Sequence, residues 1–312
     1  MRKLPALIVV AGLLATLTAC STSAAPGSAG CTTPASGEAS SVVEATGAFG
    51  SKPKVTIPTP LNTRHTEVST LVEGDGRVLT DGTPALIEYT IYSGSTGKVL
   101  SSSSYSDPTA PVTVGATKGG PIIDALECSR VGSRIAVAVK ASDLSSTAST
   151  KKNEKSGPAD VAVIDIVKAF LPRADGALQL GVNNMPAVVT AANGAPGISI
   201  PDIKAPTREK VQVVRKGSGK TLTKKDTAIL QYTAVDWPAP GTGAKPTVQG
   251  STWTDGDSAN PIPLGSTDVP AQIRSALIGK TVGSQVMVVT PPTSASGSST
   301  TYVYVFDVLG AL

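Results

Sequence analysis

The chain has 312 residues and a formal net charge of +4; 40% of residues are apolar, 16% charged and only 4% aromatic, with 31 Gly and 24 Pro. That balance is too apolar and too weakly charged for a mainly disordered chain, and too rich in Gly and Pro for a helical bundle or coiled coil. It fits many short strands joined by turns, over a length that suits about two domains. The single histidine, His65, is read as a surface residue and argues against His-centred metal sites and a Ser/His/Asp hydrolase; three distant cysteines give no zinc-type spacing.

The chain opens Met1-Arg2-Lys3 and then runs apolar through residues 4–19, ending Leu17-Thr18-Ala19-Cys20. A positive start, a short apolar stretch and small residues at its end are the pattern of a secretory signal. The stretch is short for a membrane span, which needs about 20 residues. Its end resembles a bacterial lipobox, so Cys20 is expected to be lipidated after residues 1–19 are removed. The expected location is the outer face of the cytoplasmic membrane, with the lipid as the only membrane contact. Loss of Arg2 and Lys3 leaves 25 basic against 23 acidic residues, a charge of +2. This gives no case for nucleic-acid binding. The basic run Lys151-Lys152-Asn153-Glu154-Lys155 reads as a solvated loop. Outside the membrane thiols can oxidise, and Cys31 with Cys128 forms the remaining even pair, expected as a disulfide. Residues 20–40 read as a flexible tether.

An internal duplication follows. Pro53-Lys54-Val55-Thr56-Ile57-Pro58 matches Pro196-Gly197-Ile198-Ser199-Ile200-Pro201, and Tyr89-Thr90 matches Tyr232-Thr233, both at an offset of 143 residues. Ala125-Leu126 and Val131-Gly132-Ser133 match Ala276-Leu277 and Val282-Gly283-Ser284 at an offset of 151, and residues 161–166 match 303–308 at 142. The predicted organisation is a first copy over 41–172, a joint over 173–181 and a second copy over 182–312. Within each copy the apolar period is mostly two, as in residues 228–232, 285–289 and 302–306, which predicts strands. One short helix is predicted per copy. In the second, Asp268 is the expected N-cap, Pro270 lies in the first turn and Gly279 is the stop; residues 121–126 are its counterpart. The predicted fold is α+β, two tandem domains each with a twisted antiparallel sheet on one short helix.

At these residues the chain resembles the FKBP-type peptidyl-prolyl cis-trans isomerases. The similarity runs over about 211–309 of the second copy: a Gly-Ser-Gly turn, the strand ending Gln231-Tyr232-Thr233, Gly250-Ser251-Thr252-Trp253, Pro263-Leu264-Gly265, a short helix, Gly279-Lys280-Thr281-Val282-Gly283-Ser284 and a last strand. A lipobox before two such domains also looks like the lipoproteins of high-GC Gram-positive bacteria. The resemblance implies an apolar pocket between sheet and helix, formed by Tyr232, Trp253, Ile262, Val269, Pro270, Ile273 and Tyr304. Trp253 is matched to the phenylalanine of the family's Phe-Asp-Ser-Ser segment, and Ile273 to the tryptophan of the pocket floor. Thr254 then stands in place of the pocket aspartate, and Ser296 in place of a tyrosine. The first copy is more degenerate: Tyr89, Leu100 and Ile122 hold pocket positions, Ala162 replaces the last-strand aromatic, and Cys128 replaces the equivalent of Gly279.

Peptide-bond rotation faces a barrier of roughly 18–20 kcal/mol from amide resonance. An apolar pocket disfavours the planar, polar ground state more than the twisted transition state. Such chemistry needs no cofactor, metal or nucleophile. The expected activity is therefore peptidyl-prolyl isomerisation by the second copy of a monomeric protein, acting on proline-containing exported polypeptides. Pro270 offers no N–H at the helix start, where the pocket would gain a donor. The alternatives are an inactive or weak FKBP-like chaperone or peptide-binding lipoprotein, and an envelope protein whose repeats only hold a partner. Asp255-Gly256-Asp257 faintly suggests a calcium loop but lacks the remaining ligands, and reads as a turn.

Overall fold

A computed structural model describes residues 34–106, 111–144, 156–254, 256, 258–292 and 300–312. The first half contains α1 (Glu38–Ser41), β1 (Glu44–Thr46), β2 (Lys54–Thr56), β3 (Asn62–Thr63), β4 (Glu67–Val72), β5 (Pro84–Ser93), β6 (Val99–Ser102), β7 (Val112–Thr113), α2 (Gly120–Asp124), β8 (Arg134–Lys140) and β9 (Gly157–Ala169). The second contains β10 (Ala177–Leu178), β11 (Ala187–Thr190), β12 (Pro196–Ser199), β13 (Lys210–Lys216), β14 (Thr227–Asp236), β15 (Val248–Ser251), β16 (Asn260–Pro263), α3 (Ala271–Leu277), β17 (Gln285–Thr290) and β18 (Tyr302–Ala311). The fold is α+β, with two antiparallel sheets ordered β4-β8-β9-β5-β6 and β10-β13-β17-β18-β14-β15.

The pairing register carries the duplication residue by residue. Val68 faces Val137 as Val211 faces Val288, and Tyr89 faces Ile164 as Tyr232 faces Phe306. The bulges repeat too, at Thr70/Val72 and Val213/Arg215. A bulge increases local twist, so both sheets bend at the same place.

Each sheet buries both faces. One face of the first packs Leu79, Ile135, Val137, Ile164 and Ile166 against Leu126 beyond α2. The same face of the second packs Leu222, Val286, Val288, Phe306 and Val308 against Ile273, Ala276 and Leu277 of α3. The opposite faces are covered by two small hairpins, β1–β2 and β11–β12, whose pairs Ala45↔Val55 and Val188↔Ile198 stand 143 residues apart. A further core of Leu86, Phe170, Ile229, Ala259 and Leu309 joins the two sheets. Leu171 N–H donates to Leu309 O at 3.1 Å across that junction.

The helix start differs from the expectation. Pro270, with φ −50° and ψ 135°, is the N-cap of α3, and its carbonyl accepts from Ile273 and Arg274 N–H. Asp268 accepts instead from Ser266 Oγ at 3.1 Å. Proline's fixed φ suits a helix entrance, so the cap needs no side-chain oxygen. Gly279, at φ +82°, ends the helix in the left-handed region, and Cys128 takes the same conformation at φ +67°. Only glycine adopts that geometry freely. Cys128 is a half-buried free thiol; Cys20 and Cys31 lie outside the described residues, as do Asp255, Asp257, Ser296, Gly297 and residues 151–155. His65 is exposed. No helix of the described residues is long and apolar enough to cross a membrane.

Candidate functional site

β14 and β18 lie side by side in the second sheet, and alternate residues point to one face of it. That alternation puts Tyr232 from β14 on the α3 face with Tyr302, Tyr304 and Phe306 from β18. Tyr304 stacks on Phe306 with ring centres 5.7 Å apart and planes 4° apart, and Tyr232 meets Phe306 at 6.0 Å and 39°. Tyr302 continues the row at 6.5 Å from Tyr304. Tyr232, Ile262 of β16, Val269 before α3 and Tyr304 are half-buried and pack on the core that Ile273 and Phe306 complete. Ile273 is 9% exposed and Phe306 6%, so both form floor rather than rim. The result is an arc of aromatic rings beside the aliphatic side chains of Ile262, Val269 and Ile273. Burial, then the neighbouring Tyr302 and Tyr232, push the Tyr304 hydroxyl's pKa up, so Tyr304 is neutral across the physiological range.

Five of the seven residues expected in the second copy's pocket are therefore together: Tyr232, Ile262, Val269, Ile273 and Tyr304. Pro270 is exposed at the mouth of the helix and supplies no N–H. Trp253 is elsewhere. Thr252 closes the β14–β15 ladder, donating its N–H to Tyr232 O at 3.1 Å and accepting from Tyr232 N–H at 3.0 Å through Oγ1. The turn over residues 252–254 then carries Trp253 to a separate cavity of about 410 Å³ between the two copies, lined also by Gln231, Arg173, Asp81 and Thr113. Gln231 and Tyr232 are successive residues of one strand and so face opposite ways. The indole is wedged against Gly194, where a Cβ would lie 2.7 Å from the ring. Its Nε1 is buried without a hydrogen-bond partner.

The ladder also explains the misplacement. Ser103 makes the same two bonds to Tyr89 that Thr252 makes to Tyr232. Ser103 thus corresponds to Thr252, and Leu100 to Gln249, so Trp253 lies four residues beyond the position assigned to it. The residue beside the Tyr232 hydroxyl is Gly250, whose Cβ would sit 3.5 Å from that oxygen. In this register Gly250 corresponds to Ser101 of the first copy.

In the first copy Tyr89 and Ile122 pack half-buried on the core as expected, but Leu100 is 56% exposed on β6 and joins no wall. Ala162 and Ile164 hold the places of Tyr304 and Phe306 and are fully buried. Among the described residues no aromatic row exists on this sheet. Tyr302 and Phe306 were missed in the sequence, although the alternation Tyr302-Val303-Tyr304-Val305-Phe306 places all three aromatics on one face. Among the described residues no group of three or more His, Cys, Asp or Glu could hold a metal ion.

No family model matches the chain, and no curated protein matches it. Among solved structures it is similar to the three FKBP domains of wheat FKBP73, at 15% identity over 80% of this chain and 95% of that one, with a TM-score of 0.30. It is similar to FkpA from Escherichia coli at 19% identity over 40% and 51% of the two chains, with a TM-score of 0.27. The N-terminal domain of FKBP42 from Arabidopsis thaliana is matched at 12% identity over 38% and 97%, with a TM-score of 0.28.

Proposed function

We propose that the second copy binds X-Pro segments on the Tyr232–Phe306–Tyr304 arc and speeds their cis-trans exchange, and that the first copy serves as a scaffold. The observation that carries this reading is the half-buried aromatic row over Ile273, together with its loss in the first copy, where Ala162 and Ile164 stand instead. A prolyl ring laid on the arc loses water, and the adjoining amide enters an apolar environment. There the planar, polar amide is less well solvated than in bulk, while the twisted form, with resonance broken, loses less. The chain's own residues act only by shape and desolvation.

The proposed setting is extracytoplasmic. Cleavage before Cys20 and lipidation of that residue would hold the two copies at the outer face of the cytoplasmic membrane, where unfolded exported chains emerge. A second reading is peptide binding without efficient catalysis. It is favoured by Gly250, which offers the Tyr232 hydroxyl no side-chain acceptor, and by Pro270, which offers no backbone N–H.

Because the two sheets share a core through Phe170 and Leu309, the test uses the full chain rather than separated halves. The chain at micromolar concentration is expected to accelerate a proline-limited refolding reaction. Replacing Tyr232 and Tyr304 together with Ala should reduce that acceleration by about tenfold or more, equivalent to ~1.4 kcal/mol of barrier, and Tyr89→Ala should leave it unchanged. Suppressed aggregation without acceleration would select the second reading, and neither effect would exclude both.

A further inference from the structure

The edge strands of the two sheets occupy the same register but have different neighbours. In the first copy β4 is not a free edge. Val68 N–H donates to Ala35 O at 3.2 Å, Ser36 and Ser69 hydroxyls meet at 2.7 Å, and Ala39 N–H donates to Glu67 Oε2 at 2.8 Å. Residues 35–40 thus run along β4 and fasten to it through backbone and side chains. In the second copy the corresponding strand is β13, where Lys210, Val211 and Gln212 replace Glu67, Val68 and Ser69. β10 and Gln179 after it cover β13 only over Val214, Arg215 and Lys216. Val211 faces Val288 as Val68 faces Val137, so its N–H and C=O point to the outer side, as alternate residues of an antiparallel pair do. No described strand pairs with residues 210–213 there.

A groove of about 400 Å³ lies along this stretch, between Val211 and the segments that carry Val182, Met185 and Ile203. Val182 is 58% exposed and Val211 41%. Lys204 and Lys210 line it, and no Asp or Glu does. Gln212 lines it as well; this side chain is 9% exposed and its Oε1 has no hydrogen-bond partner. Where the first copy has an internal segment bound by Glu67, the second has a cation and a vacant edge.

We propose that β13 is a docking edge for an extended acidic segment of another polypeptide, which adds to the second sheet as a short strand at Val211 and places its carboxylates beside Lys204 and Lys210. Strand addition takes affinity from main-chain hydrogen bonds and specificity from alternate side chains. Here those would be an apolar residue against Val182 and Met185, flanked by acids. Residues 1–33 of this chain contain no Asp or Glu and do not match the groove's charge. The edge lies apart from the aromatic arc and does not depend on its activity.

The test uses the full chain and two fluorescent proline-free peptides, Asp-Val-Asp-Ile-Asp-Val and Lys-Val-Lys-Ile-Lys-Val, followed by anisotropy. The acidic peptide should bind and slow hydrogen exchange at the Val211 amide. The double variant Lys204→Glu, Lys210→Glu changes two exposed side chains; it should weaken the acidic peptide by about tenfold or more and favour the basic one. Val211→Pro removes the outward N–H and should abolish binding; if it does not fold, the charge reversal decides. Equal binding of both peptides, an acidic preference that survives charge reversal, self-association of the chain through this edge, or displacement by a peptide of residues 20–33 would each overturn the proposal.

Discussion

Where the first sheet carries Arg134 opposite Asp165, the second carries Gln285 opposite Asp307. The backbone positions are the same, but the work is different. Arg134 is 1% exposed and grips Asp165 through Nε at 2.6 Å and Nη2 at 2.7 Å. Its remaining donors reach Gly47 O at 2.9 Å and Ala48 O at 3.0 Å, and Gly50 N–H donates to Asp165 Oδ2 at 2.6 Å. The ion pair thereby anchors the β1–β2 turn to its sheet. Asp307, 1% exposed, has Gln285 rather than a cation opposite it, and among the described residues it forms no ion pair. It accepts from Gln285 Nε2 at 2.8 Å and from Ala174 N–H at 2.8 Å, so it fastens the joint between the copies. The same divergence governs the helix-facing side, where the second copy holds Tyr304 and Phe306 against Ala162 and Ile164 in the first. The duplicated sheet is braced by a buried ion pair in one copy, and in the other it carries an aromatic row and a carboxylate fastened to the joint.

The largest difference between the copies is expected at Arg134. Arg134→Ala leaves Asp165 buried without its partner, a change that costs about 3–5 kcal/mol in comparable sites. Chemical denaturation should register a loss of that order, and a loss below about 1 kcal/mol would show that the pair does not brace the first copy. Gln285→Ala should be milder, because Asp307 keeps the Ala174 N–H.

A smaller effect is expected from pH. Burial raises the Asp307 pKa to about 6 from 3.8, against the opposing Ala174 N–H, the Gln285 amide, and Arg215 and Arg173. The folded state therefore favours the protonated acid. Its contribution to stability is fully present below pH 4 and is lost as pH rises through about 6, a change on the order of 3 kcal/mol. Asp307→Asn cannot titrate, and a turned Gln285 amide can still accept from it, since Gln285 Oε1 has no partner. Between pH 4 and 7 the original protein should thus lose stability relative to Asp307→Asn in paired denaturation curves. Parallel curves would contradict the assignment.

Much of the fold was legible in the sequence because the duplication is written in constant offsets and because period-two alternation marks the long strands. The helix and its glycine stop were legible for the same reason: Leu277, Ile278 and Gly279 form a local signal. The covering hairpins were not, since β1 and β2 are three residues each and carry little pattern. The shared core was not, because Leu86, Phe170, Ile229 and Leu309 come together only through tertiary packing. Tyr232, Ile273 and Tyr304 were singled out only through the family resemblance; they lie together because they stand on neighbouring strands and one helix. Trp253 was misplaced because its register is set by the side-chain to backbone bonds of Thr252 across β14 and β15, and residues 237–247 offer no periodicity from which to count.

Whether the aromatic arc takes up a prolyl segment is decided by titrating the full chain, isotope-labelled at its aromatic and isoleucine side chains, with a short Ala-Leu-Pro-Phe peptide and observing it by NMR. Saturable shifts are expected at Tyr232, Ile273, Tyr304 and Phe306, with faster cis-trans exchange of the peptide and no shifts at Tyr89 or Ile122. Shifts centred on the first copy, or on Trp253 with the aromatic arc unmoved, would contradict this expectation.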